Sequence, residues 1–168
     1  MQAHRLAQEA CTDASRALAA QLAVEIDQAA STLRAIVNGV MPAQLVERGL
    51  AAAVQELAYD LPVRARLEVV GLPDRLPGPV ESTAYFVAAE ALTNVIKHAD
   101  ARRVDLSLRL EGDVLSIEVV DDGRGGVRFD SGWGLSGLRD RLEVLGGTLT
   151  VTSGATGTRV QAVLPCAS

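Results

Sequence analysis

Three residues on one predicted helix have the types and the spacing to hold a hard cation. Glu90, Asn94 and His98 follow one another at four-residue steps inside a helix expected over 80–99. All three therefore project from one face over about 12 Å, with Lys97 beside them. A carboxylate and an amide oxygen are ligands that Mg²⁺ accepts. The same stripe would also serve as the polar side of a solvated helix, because Phe86, Ala89, Val95 and Ile96 occupy the opposite face.

Two glycine-rich runs follow. In the first, Asp121-Asp122-Gly123-Arg124-Gly125-Gly126 closes an alternating strand. An acid at a strand end, followed by spaced glycines, lets the backbone approach a ligand closely. A plain hairpin turn also uses Asp-Gly, so both readings stand on these residues alone. In the second, Gly132-Trp133-Gly134-Leu135-Ser136-Gly137 opens a helix expected over 135–145, where backbone N–H groups and the helix dipole suit phosphate. The spacing is literally GxGxxG, but a dinucleotide fingerprint needs a strand directly before it and an acid about 20 residues later. Residues 128–131 are not a buried strand, and no acid follows Glu143. A phosphate-binding loop of the GxxxxGK type is excluded, since the only lysine follows Ile96. CxxC, HExxH and GxSxG patterns are absent as well. His4 reads as a solvated residue.

The elements that must position these groups are legible from periodicity. Leu18, Leu22, Ile26, Ala29, Leu33, Ile36 and Val40 mark one long amphipathic helix over 5–38, stopped by Gly39 and Pro42. It either folds back on the domain or meets a partner helix, and partner packing is the expectation. A helix over about 47–60 precedes Pro62. Strands are expected over 63–70 and 104–110, and around 115–119, 149–151 and 160–164, each alternating apolar with polar residues. Such alternation leaves one face wet and one covered by helices, and short turns make neighbouring strands antiparallel. The expected fold is α+β, a two-layer α/β sandwich behind a long N-terminal helix. Residues 1–42 form a helical arm and 43–168 the main domain. At 168 residues one domain with a short appendage is expected, and 48% hydrophobic composition excludes a disordered tail. With only 3% aromatics the core must be aliphatic. A net charge of −5 argues against a chain built to coat nucleic acid. Cys11 and Cys166 read as unpaired thiols, and no run reaches the roughly 18 apolar residues of a membrane span.

Taken in order, the motifs resemble the GHKL (Bergerat-fold) ATP-binding family, and most closely the catalytic domain of bacterial two-component sensor histidine kinases of the NarL/DesK-like class. AAEALTNVIKHADA (88–101) resembles its N-box, DDGRGG (121–126) its first glycine box and GWGLSGLRDRLEVLGGTL (132–149) its second. Gly157-Thr158-Arg159-Val160 resembles its closing strand, and residues 33–58 the junction between a dimerisation helix and the catalytic domain. The resemblance implies a mixed, mostly antiparallel sheet with helices on one face, and binding of ATP with Mg²⁺. Asn94 would bind the metal, and Glu90 would hold a metal-bound water or act as a catalytic base. Lys97 and His98 would face the phosphates. Asp121 would accept a hydrogen bond from the adenine amino group, with Gly123 and Gly125 passing close to the base and Thr158 beneath it. Gly132 and Gly134 would hinge a lid, and the run through Leu135 to Gly137 would approach the phosphates. Trp133 would lie in that lid or in the core.

One departure stands out. The family needs a phosphoacceptor histidine followed by an acid on its first dimerisation helix, whereas His4 precedes Arg5 and His98 lies inside the N-box. Either the chain is part of a longer kinase or it lacks autokinase activity, and the first is the expectation. The resemblance then implies a kinase domain that passes the γ-phosphoryl of ATP to a histidine elsewhere, for onward transfer to a response-regulator aspartate. Its implied partners are that regulator and its own dimerisation domain, as a homodimer of the full-length protein. The domain would be cytoplasmic, with any membrane contact made through upstream segments. An anti-sigma-factor-type serine kinase and a nucleotide-gated interaction module are the alternatives on the same fold.

Overall fold

The computed structural model describes residues 41–126 and 133–166; of residues 133–136 only the backbone is described. The helix expected over 5–38, His4, Cys11 and Gly132 lie outside the described residues, as does the Trp133 side chain.

The chain enters through α1, Ala43–Tyr59. Pro42 is extended (φ −53°, ψ 136°), and its carbonyl accepts the N–H groups of Leu45 and Val46 at 3.0 and 3.1 Å. The helix therefore begins at Ala43, earlier than the apolar spacing alone suggested, and it kinks at Gly49. Leu45, Leu50, Ala53 and Val54 form its buried side. Strand β1, Arg64–Val70, leads by a turn-rich loop into α2, Gly78–Asn94, with Pro79 in its first turn.

The single helix expected over 80–99 is instead two pieces. The regular helix stops at Asn94, and Val95–Ala99 continue it as one wide, π-type turn. Asp100 then ends the run in the left-handed region (φ 52°), a conformation that Asp tolerates better than most side chains. Strands β2, Arg103–Glu111, and β3, Val114–Asp121, follow as a tight hairpin. Helix α3, Trp133–Val144, ends as its glycines suggest. Gly146 takes φ 71° and donates to the Glu143 carbonyl, and the Gly147 N–H reaches back to Leu142 at 2.7 Å, the paired pattern of a Schellman cap. Strands β4, Thr148–Gly154, and β5, Gly157–Pro165, complete the chain.

The five strands lie in the order β1-β2-β3-β5-β4. β1 and β2 run parallel, joined across α2, and all other pairs are antiparallel. The mixed, mostly antiparallel sheet and the α+β class agree with the sequence reading. Val104, Leu106, Leu108, Leu115, Ile117, Val119, Val160, Ala162 and Leu164 point to one face, where α2 and its neighbouring helices cover them. The core is aliphatic, as the composition requires. The other face is wet and carries ion pairs such as Arg159–Glu118 and Arg109–Glu68 (3.5 Å), each worth little in water. Val69 departs from the expected alternation: at the open end of the edge strand it stays 41% exposed.

Two side-chain arrangements lock the helices together. Arg141 of α3 sits over the Phe86 ring of α2 at 5.8 Å, and Tyr85 meets Phe86 edge-on at 5.5 Å. Burial, with Glu56 nearby, pushes the Tyr85 hydroxyl above its ordinary range. Glu81, in the first turn of α2, is fully buried and takes Arg75 at 3.0 Å. The other arm of Arg75 donates to the Val46 carbonyl at 2.7 Å, just before the α1 kink. Among the described residues no helix is long and apolar enough to cross a membrane.

Candidate functional site

β5 lies between β3 and β4, so the start of β5 meets the end of β3. The register that pairs Val120 with Arg159 brings Asp121 and Thr158 side by side. Both are almost buried, at 7% and 8% exposure. The C-terminal end of α2 and its wide turn cross above them. Between these elements opens a small cleft. Ala91, Asn94, Val95 and Ala99 line it from the helix, Val119 and Asp121 from β3, Thr158 and Val160 from β5, and Val151 from β4.

The walls are chiefly apolar, and three polar side chains enter: Asn94, Asp121 and Thr158. Such a slot accepts a flat, apolar-faced ring with polar groups at its edge. The Asp121 Oδ1 accepts the Gly123 N–H at 2.9 Å, which orients the carboxylate. The Thr158 hydroxyl pairs with Ser153 of β4 at 3.1 Å.

The first glycine run has a structural reason before any ligand is considered. A Cβ on Gly123 would overlap the Ala99 carbonyl. One on Gly125, which also holds φ 59°, would overlap the Gly154 carbonyl. Backbone therefore packs on backbone at both positions, which only glycine permits. Beside them, Asp122 Oδ1 accepts the N–H groups of Arg102 and Arg103 at 2.8 and 2.9 Å. The Arg103 and Arg102 N–H groups hold the Asp122 carboxyl below the usual aspartate range.

Of the residues singled out from the sequence, Asn94, Asp121 and Thr158 meet at the cleft, whereas Gly123 and Gly125 pack backbone on backbone beside it and lie outside its lining. Glu90 is half-buried one turn before Asn94. Lys97 and His98 are exposed on the wide turn and lie outside the lining. Because the turn is wider than an α-helical one, His98 does not continue the Glu90–Asn94 stripe as regular spacing implied. Gly134, Leu135 and Gly137 lie in the first turns of α3. The sequence reading missed the apolar walls Val119, Val151 and Val160, and the Ser153 partner of Thr158. A signal existed: Val119 precedes Asp121 by two residues and Val160 follows Thr158 by two, so strand alternation puts each pair on one face.

Among the described residues no three His, Cys, Asp or Glu side chains gather to hold a metal. On the helix side of the cleft the hard-oxygen donor is the amide of Asn94, with Glu90 a turn away. This donor set fits Mg²⁺ only as an ion arriving with phosphate oxygens, the way Mg²⁺ is usually held.

Known proteins resemble this chain in sequence and fold. Residues 80–168 match the family of histidine kinase-, DNA gyrase B- and HSP90-like ATPases. The signal transduction histidine-protein kinase/phosphatase UhpB of Salmonella typhimurium is 32% identical over 79% of this chain and 28% of its own length. The sensor histidine kinase YxjM of Bacillus subtilis is 32% identical over 70% of this chain and 29% of its own. The chain thus spans under a third of the length of these curated relatives. Among solved structures, the histidine kinase domain of the blue-light activated histidine kinase of Erythrobacter litoralis EL346 superposes with a TM-score of 0.53 at 28% identity. That match covers 69% of this chain and 57% of the other.

Proposed function

Because the chain belongs to the family of histidine kinase-, DNA gyrase B- and HSP90-like ATPases, we propose that it is the catalytic domain of a sensor histidine kinase, one that binds Mg-ATP and presents its γ-phosphoryl to a histidine on a dimerisation helix. The observation that carries this reading is the meeting of Asp121 and Thr158 at the sheet end with Asn94 at the helix end, across an apolar slot. Asp121 and Thr158 read the edge of the adenine, while Val119, Val151 and Val160 take its faces. Asn94 holds Mg²⁺ together with the phosphates, with Glu90 assisting through water or as a base. Lys97 and His98, exposed at the turn, reach phosphate oxygens. The backbone in the first turns of α3, from Gly134 through Leu135 to Gly137, approaches the phosphates.

Phosphoryl transfer asks the protein mainly for positioning and charge neutralisation, and this inventory supplies both. The bond between the γ-phosphorus and the bridging oxygen breaks, an imidazole nitrogen takes the phosphoryl group, and ADP leaves. Residues 1–42 serve as the second helix of the dimerisation domain, and the full-length protein acts as a homodimer. The phosphoryl group then moves to a response-regulator aspartate. The domain works in the cytoplasm. Relatives named as a signal transduction histidine-protein kinase/phosphatase and a sensor histidine kinase support this reading.

The test is transfer of radiolabel from ATP to a separate helical peptide carrying a histidine, with binding measured by calorimetry. Acid-labile, base-stable label supports the proposal. Label on serine, or no binding of Mg-ATP or ADP, defeats it.

A further inference from the structure

Asp122 and Arg124 stand next to the cleft and make contacts that the proposed reaction does not use. The Arg124 Nε–H donates to the His98 carbonyl at 2.9 Å, and its backbone N–H donates to the Ala99 carbonyl at 2.8 Å. These are the last carbonyls of the wide turn, which have no partner further along a helix that ends there. A guanidinium at a helix C-terminus also complements the helix dipole. Two residues earlier, Asp122 grips the chain beyond the turn. Its Oδ1 accepts the Arg102 and Arg103 N–H groups, and its own N–H donates to the Arg103 carbonyl at 3.2 Å. Gly123, between them, lies against Ala99 with no room for a Cβ. Residues 122–124 therefore hold both ends of the segment from His98 to Arg103.

This segment connects the helix side of the cleft to the start of β2. Asp121 directly precedes the grip, and Asn94 begins the wide turn that Arg124 closes. A π-type turn is a poorly favoured geometry that persists where its surroundings hold it. Released, it can tighten toward α-helical winding, which advances about 100° per residue and would carry Lys97 and His98 around the axis. Arg124 and Asp122 are exposed and contribute nothing to the apolar core, so their contacts act on the geometry of this junction.

We infer that Asp122 and Arg124 are positioning residues, clasping the Val95–Ala99 turn and the start of β2 so as to fix the spacing between the base-reading end of the cleft and its polyphosphate-facing end. The inference rests on the nucleotide-binding reading above. It predicts that loosening the clasp weakens attachment of the polyphosphate while leaving recognition of the base intact.

The experiment uses the full chain and compares Arg124→Met, Asp122→Ala, Arg124→Lys and Asp122→Asn with the unsubstituted protein. Binding of ATP with Mg²⁺ and of adenosine is measured by calorimetry and competition, with thermal melting alongside. In Arg124→Met and Asp122→Ala, ATP should bind about tenfold more weakly, the loss expected for one ordering hydrogen bond to a charged group. Adenosine should change by less than about twofold. Arg124→Lys and Asp122→Asn, which keep a donor and an acceptor respectively, should recover most of the ATP affinity. Unchanged ATP affinity in both disruptive variants overturns the inference. So does a parallel loss of ATP and adenosine that tracks lost stability. Should Arg124→Met fail to fold, Arg124→Ala, which also lacks a side-chain donor, carries the same comparison. Failure of the underlying reading looks different: the unsubstituted protein itself then binds neither ligand, and the positioning role falls with it.

Discussion

Asp121→Asn isolates recognition of the base from the fold of the loop. Asp121 is 7% exposed at the end of β3, and its Oδ1 accepts the Gly123 N–H at 2.9 Å. Asparagine has nearly the same volume and keeps that oxygen, so the turn into the glycine run should survive. What changes is the second carboxylate oxygen, an acceptor replaced by an NH₂ donor. An adenine amino group is itself a donor, so a hydrogen bond to a charged group is lost and two donors oppose each other. Such a bond is worth about 1.5–3 kcal/mol, which converts to a rise in Kd of roughly 10- to 150-fold. Calorimetry with Mg-ATP and with ADP should show it, while the thermal midpoint stays close to that of the unsubstituted protein. Inosine triphosphate sharpens the assay: its exocyclic 6-oxo oxygen accepts where the adenine amino group donates, so the preference for ATP over it should shrink or invert. If the variant binds ATP within about twofold of the original, the base is not read by this carboxylate. If affinity falls only together with stability, Asp121 acts through the loop and the reasoning is refuted.

Gly123→Ala puts a methyl into the Ala99 carbonyl and should destabilise the domain by about 1–3 kcal/mol in denaturant titration, because backbone must move. Among the described residues, Arg75→Met leaves the fully buried Glu81 carboxylate with only the distant Leu76 N–H at 3.4 Å. Since the Arg75 side chain is 54% exposed, the loss should be held to about 2 kcal/mol, and adding Glu81→Gln should recover part of it. The Asp122 carboxyl titrates lower in the folded chain than in the unfolded one. Its contribution is therefore present above the ordinary aspartate pKa and disappears as pH falls through the depressed folded value. In thermal melts the gap between the original protein and Asp122→Asn should be open at neutral pH and close on acidification below the usual aspartate range.

Much of the fold was legible because its signals are local. Strict apolar–polar alternation in 104–110 and 115–119 marked β2 and β3, and Gly146-Gly147 marked the end of α3. Where elements were misjudged, a non-local or unusual contact decided. α1 begins at Ala43 because the Pro42 carbonyl caps it, a backbone event that apolar spacing does not record. The helix through Val95–Ala99 is wide where Arg124, far along the chain, meets its last carbonyls, and Asp100 ends it without a glycine to announce the turn. At the site, residue types and spacing singled out Asn94 and Asp121, and the family resemblance added Thr158, whereas the apolar walls carry no signal of their own, since Val151 and Val160 look like any strand valines.

The amino-acid sequence by itself determined the elements, the aliphatic core and the chemical repertoire of the cleft: an amide on a helix, an acid at a strand end, a hydroxyl at a strand start. Periodicity and turn chemistry act over a few residues, so they can be read along the chain. Only the tertiary structure decided that β5 inserts between β3 and β4, which sets Thr158 beside Asp121. It also decided that β1 pairs in parallel with β2 across α2, and that the end of α2 crosses above both polar groups. Strand order and register rest on hydrogen bonds between segments tens of residues apart. Several orders satisfy the same alternation, and the choice among them is made by how the whole apolar face packs under the helices.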